Sequence, residues 1–73
     1  MTFDFRKLRG RIIEVYGSYA DLAKAINMSP AQLSDRLHNK IQFKPDEIYL
    51  IASKEVLDIP REEIPRYFLT PVV

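Results

Sequence analysis

Residues 19–40 read Tyr19-Ala20-Asp21-Leu22-Ala23-Lys24-Ala25-Ile26-Asn27-Met28-Ser29-Pro30-Ala31-Gln32-Leu33-Ser34-Asp35-Arg36-Leu37-His38-Asn39-Lys40. Apolar side chains recur at helical spacing on both sides of a break: Tyr19, Leu22, Ala23 and Ile26 before it, Leu33 and Leu37 after it. The break itself has the chemistry of a helix end followed at once by a helix start. Asn27 is one of the few non-glycine residues that tolerate a left-handed backbone. Ser29 supplies an N-cap, Pro30 fits the first helical position, Gln32 completes a capping box, and Met28 with Leu33 forms a hydrophobic staple. Two short helices this close in sequence must turn sharply. Their corner packs only if a small residue lies inside the first helix, and Ala23 occupies that place. The spacing therefore predicts a helix-turn-helix whose second helix, ending at His38-Asn39-Lys40, stands clear of the body.

The same punctuation organises the flanks. Upstream, Asp4 is a good N-cap and Phe3 with Leu8 a staple; Phe5, Leu8, Ile12, Val15 and Tyr16 then form one helical face that Gly17 terminates. Ser18 opens the second helix, with Asp21 three residues on. Downstream, Ile41-Gln42-Phe43 reads as a connector with Ile41 and Phe43 buried. Lys44-Pro45-Asp46-Glu47 starts a fourth helix, with proline first and two carboxylates beside the positive end of its dipole. Ile48, Ile51, Ala52 and Val56 give that helix its core face. Asp58-Ile59-Pro60 breaks it and starts a single turn through Ile64, which Pro65 ends. The apolar tail at 67–73 either packs back on the core or forms a self-association patch; Pro65 and Pro71, which break any long dimer helix, favour packing back. The expectation is an all-α chain: a compact bundle of four to five short helices, containing the helix-turn-helix, in one domain over residues 1–73.

Seventy-three residues give room for one core and no second. The absence of cysteine excludes disulfides, thiolate metal sites and a thiol nucleophile. A single histidine, His38, cannot make a His–His metal pair, and at a helix end its natural role is to meet free carbonyls. Asp46-Glu47 and Glu62-Glu63 are neighbours in sequence only: successive helical residues point about 100° apart, so neither makes a catalytic dyad. No apolar run approaches a membrane span, and the start has no apolar stretch of signal-peptide kind. No enzyme, cofactor, metal or membrane role is expected.

Charge is uneven along the chain. Residues 1–44 hold eight Lys/Arg against four Asp/Glu, and residues 45–73 hold three against six. The densest cluster is Arg6, Lys7, Arg9 and Arg11. A basic front half suits a module that presents one face to an anion. The plainer expectation for Arg9 and Arg11 is a solvated helix face. A total of +1 is low for a tight DNA binder, whose affinity grows with the phosphates it neutralises.

Leu22-Ala23, Ile26-Asn27-Met28-Ser29, Leu33-Ser34, Leu37 and Asn39-Lys40 resemble the helix-turn-helix of the phage repressor and Cro superfamily. Phe5-Arg6-Lys7-Leu8-Arg9-Gly10-Arg11-Ile12-Ile13-Glu14 and Phe43-Lys44-Pro45-Asp46-Glu47-Ile48 extend the likeness over about residues 3–68. Within that superfamily the chain looks most like the small anti-repressors, the modulators of repression, of temperate lactococcal phages. The resemblance implies a regulator in the cytoplasm of a bacterial host, acting on a lysis/lysogeny switch. Its partner would be the N-terminal DNA-binding domain of the phage repressor. The alternative within the same superfamily is a Cro-like repressor that binds operator DNA directly as a homodimer.

The candidate contact residues are Ala31, Gln32, Asp35, Arg36, His38 and Lys40. Many superfamily members have glutamine where Tyr19 stands and glycine where Asn27 stands. Pro30-Ala31 falls where longer polar side chains often reach bases. Gln32 remains able to read adenine, and Arg36 a guanine or a phosphate, but an exposed Asp35 opposes phosphate contact unless it accepts from a cytosine amino group. A protein partner with Arg, Lys and Gln on its own reading helix suits this surface better.

Overall fold

The computed structural model describes residues 2–72 as five α-helices: α1 Arg6–Tyr16, α2 Tyr19–Ala25, α3 Pro30–Leu37, α4 Pro45–Ala52 and α5 Ile64–Phe68. A 3-10 turn over Arg61–Glu63 runs straight into α5. The all-α expectation holds among the described residues; the only strand-like feature there is one isolated antiparallel bridge, Phe3 to Pro71.

Helix ends explain the shape. Gly17, Asn27, Asn39 and Asp58 all adopt positive φ, at 82°, 57°, 62° and 51°. Gly17 closes α1 by donating its N–H to Ile13 O. After α2, Asn27 N–H donates to Lys24 O and Met28 N–H to Ala23 O; after α3, Asn39 donates to Arg36 O and Lys40 to Asp35 O. These are two Schellman ends with asparagine in the glycine position. Asp58 is left-handed in the turn after α4, where its own N–H reaches back five residues to Ser53 O. Ser18 caps α2 on Asp21 N–H, and Ser29 with Gln32 forms the complete capping box of α3.

The core runs through every element: Leu8, Ile12, Leu22, Leu33, Ile51, Leu57 and Phe68 are fully buried. Ala23 is also sealed, at the junction of α2 with α3. Phe43 stands edge-on to both Phe5 and Phe68, with ring centroids 5.4 and 5.3 Å apart. Such edge-to-face pairs align the positive ring edge with the negative face.

Several expectations need correction. Asp4 does not occupy the N-cap position of α1, which Phe5 takes; its carboxylate still accepts the Arg6 N–H at 2.9 Å. Val15 and Tyr19 are exposed, because α1 and α2 bury narrower faces than their apolar patterns suggest. Ile41 is exposed as well, so Phe43 alone carries the connector inward. α4 stops at Ala52 rather than continuing to Val56: Ser53 turns extended, and the chain folds back so that Ile59 N–H reaches Ala52 O. That return buries Leu57 and Ile59, two core residues the helical pattern missed. Pro65 stands in the first turn of α5, second after Ile64, instead of ending a turn, and there its missing N–H costs nothing. The tail does pack back as far as Phe68; beyond it Leu69 and Val72 are exposed while the backbone pairs with the N-terminal segment, Asp4 N–H to Thr70 O and Val72 N–H to Thr2 O. Val73 lies outside the described residues.

Candidate functional site

α3 is positioned from both ends. Its start is fixed by Ser29, whose Oγ accepts Gln32 N–H at 3.1 Å while Gln32 Oε1 accepts Ser29 N–H at 2.9 Å. Its far end is held from α1, where Arg9 Nη2 donates to Leu37 O at 2.9 Å. The inner face is buried through Leu33 and Leu37. Ala31, Gln32, Ser34 and His38 are exposed and Asp35 is half-buried; Lys40 is exposed just past the helix end. Five of the six sequence-derived contact residues thus keep accessible surface, and one does not.

Arg36 is that exception, and the expectation that it reaches out to a partner is corrected. Its residue surface is only 7% exposed. The guanidinium makes a two-pronged contact with Glu47 on α4, Nε to Oε1 at 2.8 Å and Nη2 to Oε2 at 2.9 Å, and Nη1 donates to Gln32 O at 2.9 Å. Glu47 Oε1 also accepts the Lys44 N–H at 2.9 Å, so one carboxylate caps α4 and ties it to α3. The hydrogen bond from Arg36 holds the Glu47 carboxyl below its ordinary range against the opposing effect of burial. The same bond raises Arg36 above its ordinary value. The signal was present in the helical period: Arg36 lies within about 60° of Leu33 around the helix, on the flank of the buried face.

Two other polar side chains have defined roles. His38 Nδ1 donates to Ser34 O at 2.8 Å, the carbonyl-meeting role expected of a histidine at a helix end. Asn39, which the sequence marked only as a helix terminator, clamps the N-terminal segment: Oδ1 accepts Phe3 N–H at 2.8 Å and Nδ2 donates to Phe3 O at 3.0 Å. No local pattern announces a pairing across 36 residues.

The basic cluster of α1 is only partly open: Arg6 and Lys7 are exposed, and Arg9 and Arg11 are drawn into the fold. Arg6 pairs with Asp4, and that pairing lowers the Asp4 carboxyl from its ordinary range. The Lys7 ammonium lies 4.9 Å from the Tyr67 ring centroid. Arg9 bridges Leu37 O and the Tyr19 ring, and Arg11 donates twice to Leu57 O while pairing with Glu14. Arg9 and Arg11 are accordingly half-buried connectors rather than a solvated face.

A groove of about 240 Å³ opens between α3 and α4, lined by Ile26, Asn27, Met28, Gln32, Arg36, Asp46, Glu47 and Leu50. No local pattern announces it, since it joins the α2–α3 turn to a helix starting sixteen residues beyond Ser29. Among the described residues, no cluster of three or more His, Cys, Asp or Glu side chains is placed to hold a metal ion. Nor is any helix long and apolar enough to cross a membrane.

Fold and surface together define a small all-helical domain with one helix held at both ends and open along its outer face. The chain belongs to the family described as Protein of unknown function (DUF739), whose model matches residues 1–70. No curated protein matches it.

Proposed function

We propose that this protein is a phage-type anti-repressor of a lysis/lysogeny switch. In this reading α2 and α3 form a helix-turn-helix whose outer face binds the DNA-binding domain of a phage repressor and keeps it from its operator. The site of action is the cytoplasm of the bacterial host. The observation that carries the reading is the charge left on α3. Its one cation, Arg36, is buried on Glu47, while Asp35 stays on the accessible side. Gln32 has its amide oxygen engaged at the helix start. A helix reading DNA needs cations and free amides toward phosphates and base edges. A helix presenting Ala31, Ser34 and Asp35 instead allows close approach of a partner helix and offers a carboxylate to that partner's Arg or Lys.

The alternative, a Cro-like dimer on operator DNA, draws on the basic front half of the chain. Of the cations in that half, Arg9, Arg11 and Arg36 are engaged within the fold, while Arg6, Lys7, Lys24, Lys40 and Lys44 stay exposed and are not gathered on α3. The two readings separate in one titration. Labelled operator DNA is mixed with the repressor encoded in the same genome, and this protein is added. The anti-repressor reading expects release of the repressor and little binding of DNA by the protein alone. A shift of operator by the protein alone that falls steeply with salt, without repressor release, overturns it.

A further inference from the structure

The groove between α3 and α4 carries chemistry that the outer face of α3 lacks. Its floor is the Arg36–Glu47 pair, in which the two charges cancel. Asp46 is the remaining ionised side chain on its lining and is exposed, so the concavity holds one net negative charge. Lys44, the neighbouring cation in sequence, does not line it. Met28 is half-buried against the core, and Leu50 is 46% exposed at the groove although it sits on a helix with a fully buried Ile51. Gln32 forms the lip shared with α3. Apolar surface beside an uncompensated carboxylate suits an amphipathic segment with a basic flank, and disfavours an acidic or a purely polar one.

We propose that this groove receives a basic amphipathic helix of the protein partner. An apolar side chain of that helix packs on Met28 and Leu50, and a Lys or Arg beside it pairs with Asp46. This extends the docking surface from α3 onto α4 and rests on the reading of the chain as a protein-binding module. It adds partner-selecting residues, Met28, Asp46 and Leu50, that the α3 face alone does not supply.

The test uses the full chain with isotope-labelled methionine and leucine methyl groups and two designed amphipathic helical peptides, one Leu/Lys and one Leu/Glu. The Leu/Lys peptide is expected to shift the Met28 and Leu50 methyl resonances and leave that of Leu69, on another part of the surface, in place. The Leu/Glu peptide is expected to shift none of them. Leu50→Ala should weaken Leu/Lys binding about tenfold, as loss of an apolar anchor does. Asp46→Asn should weaken it about threefold, the scale of a rim charge. Both positions are exposed, and a thermal melt confirms that each variant is folded. Equal binding of the two peptides, shifts at Leu69 in place of Met28 and Leu50, or unchanged affinity in both variants overturns the groove proposal. These outcomes are independent of the operator titration, which judges the anti-repressor reading by itself.

Discussion

α1 carries four cations between Arg6 and Arg11, whereas α3 carries one. By sequence α1 is the helix with the anion-binding face. In the fold three of them reach distant parts of the chain, to the Tyr67 ring, to the last carbonyl of α3 and to Leu57 O in the turn after α4, while Arg6 stays exposed and pairs only with nearby Asp4. The cation of α3 is a tie as well, to Glu47 on α4. What α3 leaves open is instead a row of small and polar side chains with a carboxylate. Formal charge counted along a chain is thus a poor guide to charge a partner can meet. Long guanidinium side chains cross the surface readily and satisfy carbonyls at helix ends, where backbone acceptors would otherwise stay free. The two helices differ in what their substitution should do: charges on α1 and the buried pair of α3 govern stability, and the outer face of α3 governs binding.

The largest effect on that division should come from Glu47→Gln. It leaves the Arg36 guanidinium buried without its counter-charge and removes the link between α3 and α4. Breaking one side of a buried pair leaves an uncompensated charge, and a loss of about 3 kcal/mol is expected in denaturant unfolding. The pair also sets an acid limb. Because the folded Glu47 carboxyl lies below its ordinary value of 4.5, its contribution is complete above that pH and disappears as pH falls through the lowered value. The wild-type chain should lose more stability than Glu47→Gln between neutral pH and the acid range. Parallel stability curves for the two proteins would remove the pair from this role.

A smaller loss is expected from Arg11→Met, which keeps much of the apolar stem but deletes two hydrogen bonds to Leu57 O. About 1 kcal/mol is the scale for a side chain holding a backbone carbonyl. Repressor affinity should be unchanged, and a fall in affinity without a fall in stability would restore α1 as a binding face.

Local signals were legible and distant ones were not. Ser18, Ser29, Pro30, Gln32, Gly17 and Asn27 act within three or four residues of themselves, and all of them set helix ends where the pattern placed them. The burial of Leu22, Ala23, Leu33 and Leu37 followed from the same short-range period. Arg36 with Glu47, Asn39 with Phe3, and Arg9 with the end of α3 span 11, 36 and 28 residues. Such partners depend on how helices are assembled, which periodicity within one helix does not encode. Leu57 and Ile59 were missed for a related reason: the turn that buries them is made by backbone hydrogen bonds to α4 rather than by a repeating apolar face. The outer face of α3 could be placed from sequence because it is the complement of a readable inner face. The groove beside it could not, because three of its eight lining residues belong to α4 and three to the end of α2 and the turn after it.

The finest discrimination comes from Asp35→Ala. The Asp35 carboxylate accepts no hydrogen bond and belongs to none of the ion pairs found among the described residues. Its backbone carbonyl accepts Lys40 N–H at 2.8 Å and Ile41 N–H at 3.3 Å, contacts that survive the substitution, and its charge is the smallest of the influences that raise Arg36. Stability should therefore stay within about 0.5 kcal/mol of wild type. Alanine also has a higher helix propensity than aspartate, and removing a carboxylate from the last turn relieves its repulsion with the negative helix end, both of which work against any loss. If the accessible carboxylate meets a cation of the repressor in a contact that excludes water, its removal strands that cation. Repressor affinity should then fall by about 2 kcal/mol or more, near thirtyfold. The result opposite to Arg11→Met, affinity lost with stability retained, is what distinguishes a contact helix from a structural one. Unchanged affinity in a fully folded Asp35→Ala protein would mean that the partner does not meet α3 at its carboxylate, and the division between the two helices would lose its functional half.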